Sequence, residues 1–421
     1  MGQIDAWSTG GDHGMTSLRV GFDDMTSYLT RAAWQPVMKG PLAEIWEASS
    51  GNLRRIMVPK VPSAPDYQSM LSSLTNELAN MEGRSSAQVR DDMARQFLDI
   101  TNLRAASVDL IGDTIPLHAG IALFESAKRL VTASAASTLM RQGNFGRSMP
   151  KRALNHAKHV RLGHTIQGSY IVPIINEVRM PDVYAADEGS GSQPKLDLKV
   201  EEARFDRRVT TTMAHALEVL EEIAVTRDRT PSAADVHDAV AEGVSRELCD
   251  AVFRVLATGQ VDSYDINFQW APAVSPPRLL ADSVEFPKGA VYVVEGIAST
   301  LKDFEHVEEQ VVFGIITNCA APLREGNGRV TVQAAINGRA RTVKFDLDWR
   351  SFGMASRYMA ERRPVFVRGV LHMSSGRQAT MDVRAFGPDP STMTLDDALE
   401  GPDADLGLRE LPSPRRGSID P

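Results

Sequence analysis

The stretch RVTVQAAINGRARTVKFDLDWRSFGMASRYMA, residues 329–360, decides the fold of the C-terminal part of the chain. Residues 329–336 and 341–347 are strand-like runs, and Asn337-Gly338 lies between them. This dipeptide favours the φ > 0 conformations of a tight hairpin turn. Residues 348–360 then space their apolar side chains as an amphipathic helix does. We therefore predict a β-hairpin followed directly by a helix.

Further strand-like runs flank this stretch, at 310–317 before it and at 365–371 and 378–386 after it. The order of three strands, one helix and two strands resembles a five-stranded OB-type barrel, whose helix lies between the third and fourth strands. Barrels of this kind bind single-stranded nucleic acid by pairing a basic groove with aromatic side chains on which bases stack. The resemblance is one of element order over about 80 residues and carries no family signature.

The charge of this region fits such a ligand. Residues 319–386 contain twelve Lys and Arg against five Asp and Glu, a net charge of +7 in a chain of net charge −8. We predict that Arg339, Arg341 and Arg368 contact the ligand. The aromatic side chains are few and are equally consistent with a core; they are Phe345, Trp349, Phe352, Phe366 and Phe386.

The whole chain is predicted to be an α+β, multi-domain protein, because 421 residues allow about two to four domains. The clearest boundary is the Gly- and Ser-rich stretch AADEGSGSQPKLDL, which is typical of a flexible connection. The predicted division is a disordered tail (1–15), an α+β domain with a basic C-terminal part (16–184), a flexible linker (185–199), a helical hairpin (200–258), an irregular or β connection (259–300), the OB-like small β-barrel (301–387) and a disordered acidic tail (388–421).

Capping patterns and apolar spacing predict the helices. Asp66 is placed to cap one helix, and the capping-box pairs Ser85 with Gln88 and Ser232 with Asp235 open two others. The helix after Ser85 is predicted to carry Val89, Met93, Phe97 and Ile100 on its apolar face. A long helix over 117–141 is predicted to turn Ile121, Phe124, Leu130 and Val131 inward. A hairpin is predicted from strands at 42–46 and 53–58.

Several classes of protein are excluded by composition. The longest apolar runs are far shorter than the roughly 20 residues that cross a bilayer, and the first residues contain no export signal, so we predict a cytoplasmic protein without membrane contact. Cys249 and Cys319 alone cannot form a disulfide framework or a cysteine zinc site. No cofactor and no resident metal are predicted.

One segment is free of acidic residues. No Asp or Glu occurs between Glu125 and Glu177, whereas eight Lys and Arg do. Such one-sided charge favours an anionic partner, and phosphate groups are the natural one. The alternative is that the acidic linker or tail neutralises the segment. We predict a contiguous exposed face that binds phosphates and consists of Arg141, Arg147, Lys151, Arg152, Lys158 and Arg161.

Signatures of enzymes are mostly missing from the sequence: it contains no phosphate-binding loop with its lysine, no G-x-S-x-G and no H-E-x-x-H. His156, His159 and His164 lie among cations that repel a metal ion. Pro181-Asp182 followed by Asp197-Leu198-Lys199 resembles the PD-(D/E)xK pattern of metal-dependent nucleases. That resemblance implies Mg²⁺ held by Asp182 and Asp197, with Lys199 orienting the attacking water.

The residues thus predict a binding protein for nucleic acid or another polyanion rather than an enzyme. Two alternatives stay open. A scaffold subunit of a protein assembly would use the same basic faces for acidic protein surfaces, and a Mg²⁺-dependent nuclease would use the acidic pair described above.

Overall fold

The computed structural model describes residues 19–49, 54–106, 114–165, 170–178, 198–227, 229–277, 282–302, 309–321, 327–336, 339–373 and 378–392. Of the described residues, 46% are helical and 32% lie in strands. In the described ranges, no helix has the length and apolarity needed to cross a bilayer. The chain builds two open sheets with their helices, and then a small barrel.

The first sheet is three-stranded and antiparallel, with the middle strand β2 paired to both others. Its elements are α1 (Phe22–Arg31), β1 (Trp34–Lys39), β2 (Ala43–Ala48), β3 (Arg55–Pro59), α2 (Tyr67–Glu82) and α3 (Ser86–Ala94). The predicted hairpin corresponds to β2 and β3, and its turn at 50–53 lies outside the described residues. The preceding strand β1 was not predicted; it contains Pro36 and a register shift after it. Trp46, Leu71 and Met93 belong to the buried core.

Of the capping predictions for α3 and α2, the first is confirmed and the second is wrong. Ser85 and Gln88 form the predicted capping box, with Gln88 N donating to Ser85 Oγ at 3.2 Å and Ser85 N donating to Gln88 Oε1 at 3.1 Å. Asp66 occupies the N-cap position of α2, but its side chain makes no capping hydrogen bond. The backbone of Asp66 is helical there rather than extended, so the carboxylate does not meet the first free amides.

The second sheet contains five antiparallel strands in the order β6-β7-β4-β8-β9. The elements of this part of the chain are β4 (Leu98–Ala106), α4 (Leu117–Leu139), β5 (Met140–Arg141), α5 (Lys151–His159), β6 (Arg161–Leu162), β7 (Ile171–Glu177), α6 (Leu198–Glu221), α7 (Ala233–Ala241), α8 (Arg246–Leu256), β8 (Ser263–Gln269), β9 (Ser283–Pro287) and α9 (Val291–Lys302). The helices share one core with the sheet, to which Leu103, Met213, Val252 and Val294 all contribute.

This sheet corrects two predictions. Ile100, predicted on a helix, lies in β4, where it pairs with Ile175 and Gln269. A central strand is buried along most of its length and so lacks the alternation that distinguishes a strand from a helix. The sequence placed a domain at 16–184, a helical hairpin at 200–258 and an irregular or β connection at 259–300. In the structure the three segments share one core, because β8 is hydrogen-bonded to β4 and α6 to α8 cover the same core.

Two predictions about helices are partly wrong. Ile121 and Phe124 are 50% and 40% exposed on α4, whereas Leu130 and Val131 are buried as predicted. Small side chains such as Ala127 fill the buried face of α4 where neighbouring helices approach closely. The run after Ser232, expected to be one helix, is divided into α7 and α8 by Gly243, whose φ is +106°.

The last region is a closed five-stranded barrel, as predicted. Its elements are β10 (Glu309–Ala320), β11 (Gly328–Ile336), β12 (Arg339–Leu347), α10 (Trp349–Ala360), β13 (Pro364–Met373) and β14 (Gln378–Pro388). The order β10-β11-β12-β14-β13 closes through β10, and among the strand pairs of the described residues only β12–β14 is parallel. Ile336 pairs with Arg339, and Asn337 and Gly338, on which the predicted hairpin turn falls, lie outside the described residues.

The barrel interior contains Phe345, Phe352 and Phe386, which are therefore core side chains and not stacking platforms. The ring of Phe352, on α10, lies so close to Gly328 that a Cβ at this glycine would overlap it. The predicted tail, 388–421, begins too early: Asp389 and Ser391 are buried against the rest of the protein. The other residues of that tail, 393–421, lie outside the described part.

Candidate anion-binding sites

The helix α5 carries the exposed part of the predicted cationic face. Lys151 and Lys158 lie seven residues apart, so both project from the same side of the helix, and both are exposed. Arg147 precedes α5 in a short 3₁₀ turn, and Arg161 follows it in β6; both are exposed as well. We call these four residues, Arg147, Lys151, Lys158 and Arg161, the α5 face.

The opposite side of α5 packs on α6. Ala153 and His156 are buried there, with His156 Nδ1 3.0 Å from Asp206 Oδ1. The Arg152 guanidinium lies over the Phe205 ring at 4.0 Å, so this residue anchors the helix and is half-buried, not part of the exposed face. Of the histidines, His159 and His164 are exposed while His156 points inward, so the three do not share one surface.

The cations of the α5 face form no ion pair with any carboxylate in the described part of the chain; Lys158 Nζ lies 3.4 Å from Asn155 Oδ1. Some exposed arginines elsewhere are paired: Arg229 bonds to Asp235, Arg329 to Asp346 and Arg357 to Glu361. Others, such as Arg31 and Arg90, also form no ion pair among the described residues. The α5 face is therefore distinguished by the concentration of four unpaired cations on and around one short helix.

Arg141 and Arg368 do not lie on an exposed face. The prediction that they contact a ligand at the surface is therefore wrong. Arg141, in β5, is part-buried and donates from Nε to Ala241 O at 3.0 Å. Arg368, in β13, is 5% exposed and donates from Nη1 to the same carbonyl at 2.6 Å. The strand pairing of β5 with β10 holds both residues at the junction between the barrel and the helices.

The remaining predicted barrel cations lie at the start of β12, where Arg339 is exposed and Arg341 is half-buried. The side chains that point outward from β11 and β12 are polar or small, and none of those described is aromatic. Thr331, Gln333 and Lys344 are examples. Trp349 is 66% exposed on α10 and stacks on Phe352 with ring centroids 5.7 Å apart.

The nuclease residues cannot be placed in this structure. Asp182 and Asp197 lie outside the described residues, and of Lys199 only the backbone, in the first turn of α6, is described. Their convergence on one metal ion stays a prediction.

A cavity of about 130 Å³ lies at the junction of the barrel with α6 and α7. Arg141 and Arg368 line it, together with two cationic residues that the sequence did not single out, Arg208 and His215. Arg208 is fully engaged: Asp389 accepts from its Nε at 3.0 Å, and Glu201 accepts from Nη1 at 2.9 Å. These partners are distant in sequence, and Asp389 follows the last strand in a Pro-rich stretch, so no local pattern signals the pair.

His215 is a cation at neutral pH. Burial lowers the pKa of His215, but the neighbouring carboxylates of Glu218 and Glu242 more than offset this effect and raise the pKa to about 9. Its Nε2 is 2.8 Å from Glu242 Oε2, and the same contact helps to hold the pKa of Glu242 below its usual value against the effect of burial. A protonated imidazole between two carboxylates follows from this geometry.

The raised pKa of His215 predicts a loss of stability in alkali. The stabilisation is complete below the unfolded pKa of 6.5 and is lost as the pH rises through about 9. Because the side chain is 37% exposed, solvent screening reduces the effect to about 1 kcal/mol. Urea unfolding at about pH 6 and about pH 9.5 should show this drop in the wild type and in His159→Gln, and not in His215→Gln. An equal drop in His215→Gln would contradict the assignment.

Comparisons of the chain with protein-family models, with curated proteins and with solved structures find no match.

Proposed function

We propose that this chain binds a polyanion, with nucleic acid as the leading ligand, through the α5 face. The observation that carries the proposal is the presence of four exposed cations, Arg147, Lys151, Lys158 and Arg161, without a carboxylate partner in the described part of the chain. Uncompensated cations on one surface repel each other, and phosphate groups remove that repulsion while releasing condensed counterions.

The spacing of the α5 face suits an extended ligand better than a single ion. Lys151 and Lys158 are about 10.5 Å apart along the helix axis at 1.5 Å per residue. Arg147 and Arg161 extend the charge beyond the two ends of α5. A ligand with regularly repeated negative charges can contact all four positions, whereas one phosphate can contact only some of them. The packing of His156 and Arg152 on α6 holds α5 in place, so these contacts need little reorganisation.

The barrel supports the proposal more weakly. Its strand order, its parallel pairing of the third and fifth strands and its helix after the third strand match the order of an OB fold, whose ligands cross the second and third strands. In this chain those strands are β11 and β12, where Arg329 is paired with Asp346 and the outward side chains offer no described aromatic platform. We infer that the barrel adds a basic surface beside the ligand and not a base-stacking site.

Direct binding tests the proposal. Fluorescence anisotropy of labelled single-stranded DNA, single-stranded RNA and duplex DNA, at about 50 mM salt, should give saturable binding to at least one of them. Polyglutamate of similar length is the matched control for an acidic protein surface. Tighter binding of polyglutamate than of every nucleic acid would favour the scaffold alternative over a nucleic-acid ligand.

The nuclease alternative is tested on the same labelled strands. Addition of Mg²⁺ should leave the strands intact on a denaturing gel if the chain is a binding protein. Cleavage that requires Mg²⁺ and disappears in Asp182→Asn would replace the binding proposal with catalysis.

A further inference from the structure

Two exposed leucines lie among the cations of the α5 face, and phosphate binding does not use them. Leu154 comes three residues after Lys151 and four before Lys158, so the three side chains project from the same side of α5. Leu154 is 45% exposed, and Leu162, directly after Arg161 in the edge strand β6, is 48% exposed. Exposed apolar side chains beside unpaired cations suit a partner that carries both acidic and apolar side chains.

The charge around α5 stays positive when the carboxylates beside it are counted. Glu247 accepts from the amides of Phe145 and Gly146 at 3.1 and 2.8 Å, just before α5. Asp206 contacts a histidine on the buried side of α5, and Glu177 ends β7, the strand that pairs with β6. These three carboxylates face five cations, so an excess of two positive charges remains; the cations are Arg147, Lys151, Arg152, Lys158 and Arg161.

The sequence contains one segment of complementary composition. Residues 393–411, which lie outside the described part of the chain, contain six Asp and Glu and one Arg, a net charge of −5. Five leucines are interspersed with these acids, at positions 395, 399, 406, 408 and 411. The linker at 179–197 is less acidic, with a net charge of −2 and one leucine. We call residues 393–411 the acidic segment.

The acidic segment follows a part of the fold that lies close to α5. Asp389 binds Arg208 of α6, and the residues up to Thr392 form a short 3₁₀ turn against that helix. The same turn of α6 carries Phe205 and Asp206, on which α5 packs. Two packed helices are together about 20–24 Å across. Eight extended residues span up to about 26–29 Å, so the segment beyond its eighth residue can reach the α5 face.

We propose that the acidic segment binds the α5 face of its own chain and competes there with nucleic acid. Its carboxylates contact the four cations of the face, and its leucines contact Leu154 and Leu162. Because the segment is attached, its effective concentration at the face is of millimolar order, so a weak contact is enough to occupy the face. A ligand must then engage more of the cations than the segment does in order to displace it. The competition rests on the proposed function, whereas the contact itself does not.

The contact is tested without nucleic acid, on full-length protein. Replacement of Asp396, Asp397, Asp403 and Asp405 with Asn gives a segment-neutralised variant, in which the α5 face is free of its own segment. A labelled peptide of residues 393–411 should bind this variant with a Kd of about 100 µM or below at about 50 mM salt, measured by fluorescence anisotropy. The peptide should bind the wild type at least about fivefold more weakly, because the attached segment competes. Equal binding to the two proteins, or no binding to the variant, overturns the proposal.

Further variants locate the contact. Reversal of the α5 face in the segment-neutralised variant should abolish peptide binding, and binding that survives this reversal overturns the proposal. A peptide with Ser in place of its leucines should bind at least about fivefold more weakly, because it loses the apolar contact; equal binding would overturn the role of Leu154 and Leu162. Sedimentation equilibrium should give a monomer for the wild type and for the variant. A wild-type dimer that the Asn substitutions abolish would assign the segment to a second copy and overturn the contact within one chain.

The competition is tested on labelled single-stranded DNA. The segment-neutralised variant should bind it at least about threefold more tightly than the wild type does. The matched control removes four charges from exposed acids of the described fold and should give a smaller gain; its changes are Asp66→Asn, Glu77→Gln, Asp238→Asn and Glu295→Gln. Equal gains in both variants would show a general electrostatic effect and overturn the competition. Absence of DNA binding in every variant would overturn the competition together with the proposed function, while the peptide titrations still decide the contact.

Discussion

Replacement of Arg207 by methionine should lower the free energy of unfolding by about 3–5 kcal/mol, because it leaves a buried carboxylate without its cation. Arg207 and Asp99 are 1% and 0% exposed and form an ion pair in the core between α6 and β4. Arg207 Nη2 also donates to Ser275 O at 2.6 Å, and its guanidinium lies over the Trp270 ring at 4.8 Å. Burial raises the pKa of Asp99 despite the opposing effect of Arg207, so the carboxylate is costly even when paired.

Urea unfolding measures this effect, with Arg229→Met as the matched control. Arg229 is 55% exposed and pairs with Asp235, so its loss should leave the free energy of unfolding nearly unchanged. The double variant Asp99→Asn with Arg207→Met should recover part of the loss, because asparagine still accepts from Ala271 N and carries no charge. The penalty in Arg207→Met should also shrink as the pH falls, since proton uptake by Asp99 removes the unpaired charge. A cost below about 1 kcal/mol would mean that the pair does not hold the core together.

Reversal of the α5 face should have the largest effect on binding. Replacing Arg147, Lys151, Lys158 and Arg161 with Glu should weaken nucleic-acid binding by at least about 100-fold, because attraction to phosphates becomes repulsion. The free energy of unfolding should change little, since these side chains are exposed and have no described ion-pair partner to lose.

The matched control is the reversal of Arg31, Lys39, Arg54 and Arg90, four exposed cations in the N-terminal part of the chain. Both variants change the net charge equally, so a general electrostatic effect would weaken both alike. Equal losses in the two variants would contradict a specific role for α5.

The barrel could be predicted from sequence because its elements are local. Each strand and the helix α10 occupy one continuous run, and Asp348 begins α10 by accepting from Arg350 N and Ser351 N at 3.0 and 3.1 Å. The strand β4 could not be predicted in the same way, because its burial comes from β7 and β8, which lie about 70 and 160 residues further along the chain. Its own residues contain no period that distinguishes it from a helix.

The candidate sites, too, could be predicted only where local sequence determines them. The absence of Asp and Glu between Glu125 and Glu177 can be read from the sequence, and it led to the prediction of the α5 face, whose cations are exposed in the structure. The sequence does not show whether a cation is exposed. Arg141 is part-buried and Arg368 is buried, unlike Lys151, because segments distant in sequence pack around them. Ala241 O, the acceptor that they share, is 100 residues from one and 127 from the other. Arg208 and Asp389 were missed for the same reason, at a separation of 181 residues.

The salt dependence of binding tests the central claim most directly. If four phosphates are contacted by the α5 face, the logarithm of the association constant should fall with the logarithm of salt concentration with a slope of about −3.6 on duplex DNA and about −2.8 on single strands. Anisotropy titrations at five or more salt concentrations would measure it, and reversal of the α5 face should flatten the line towards zero. Binding that does not depend on salt, or no binding to any nucleic acid at low salt, would contradict the proposal that this chain binds nucleic acid.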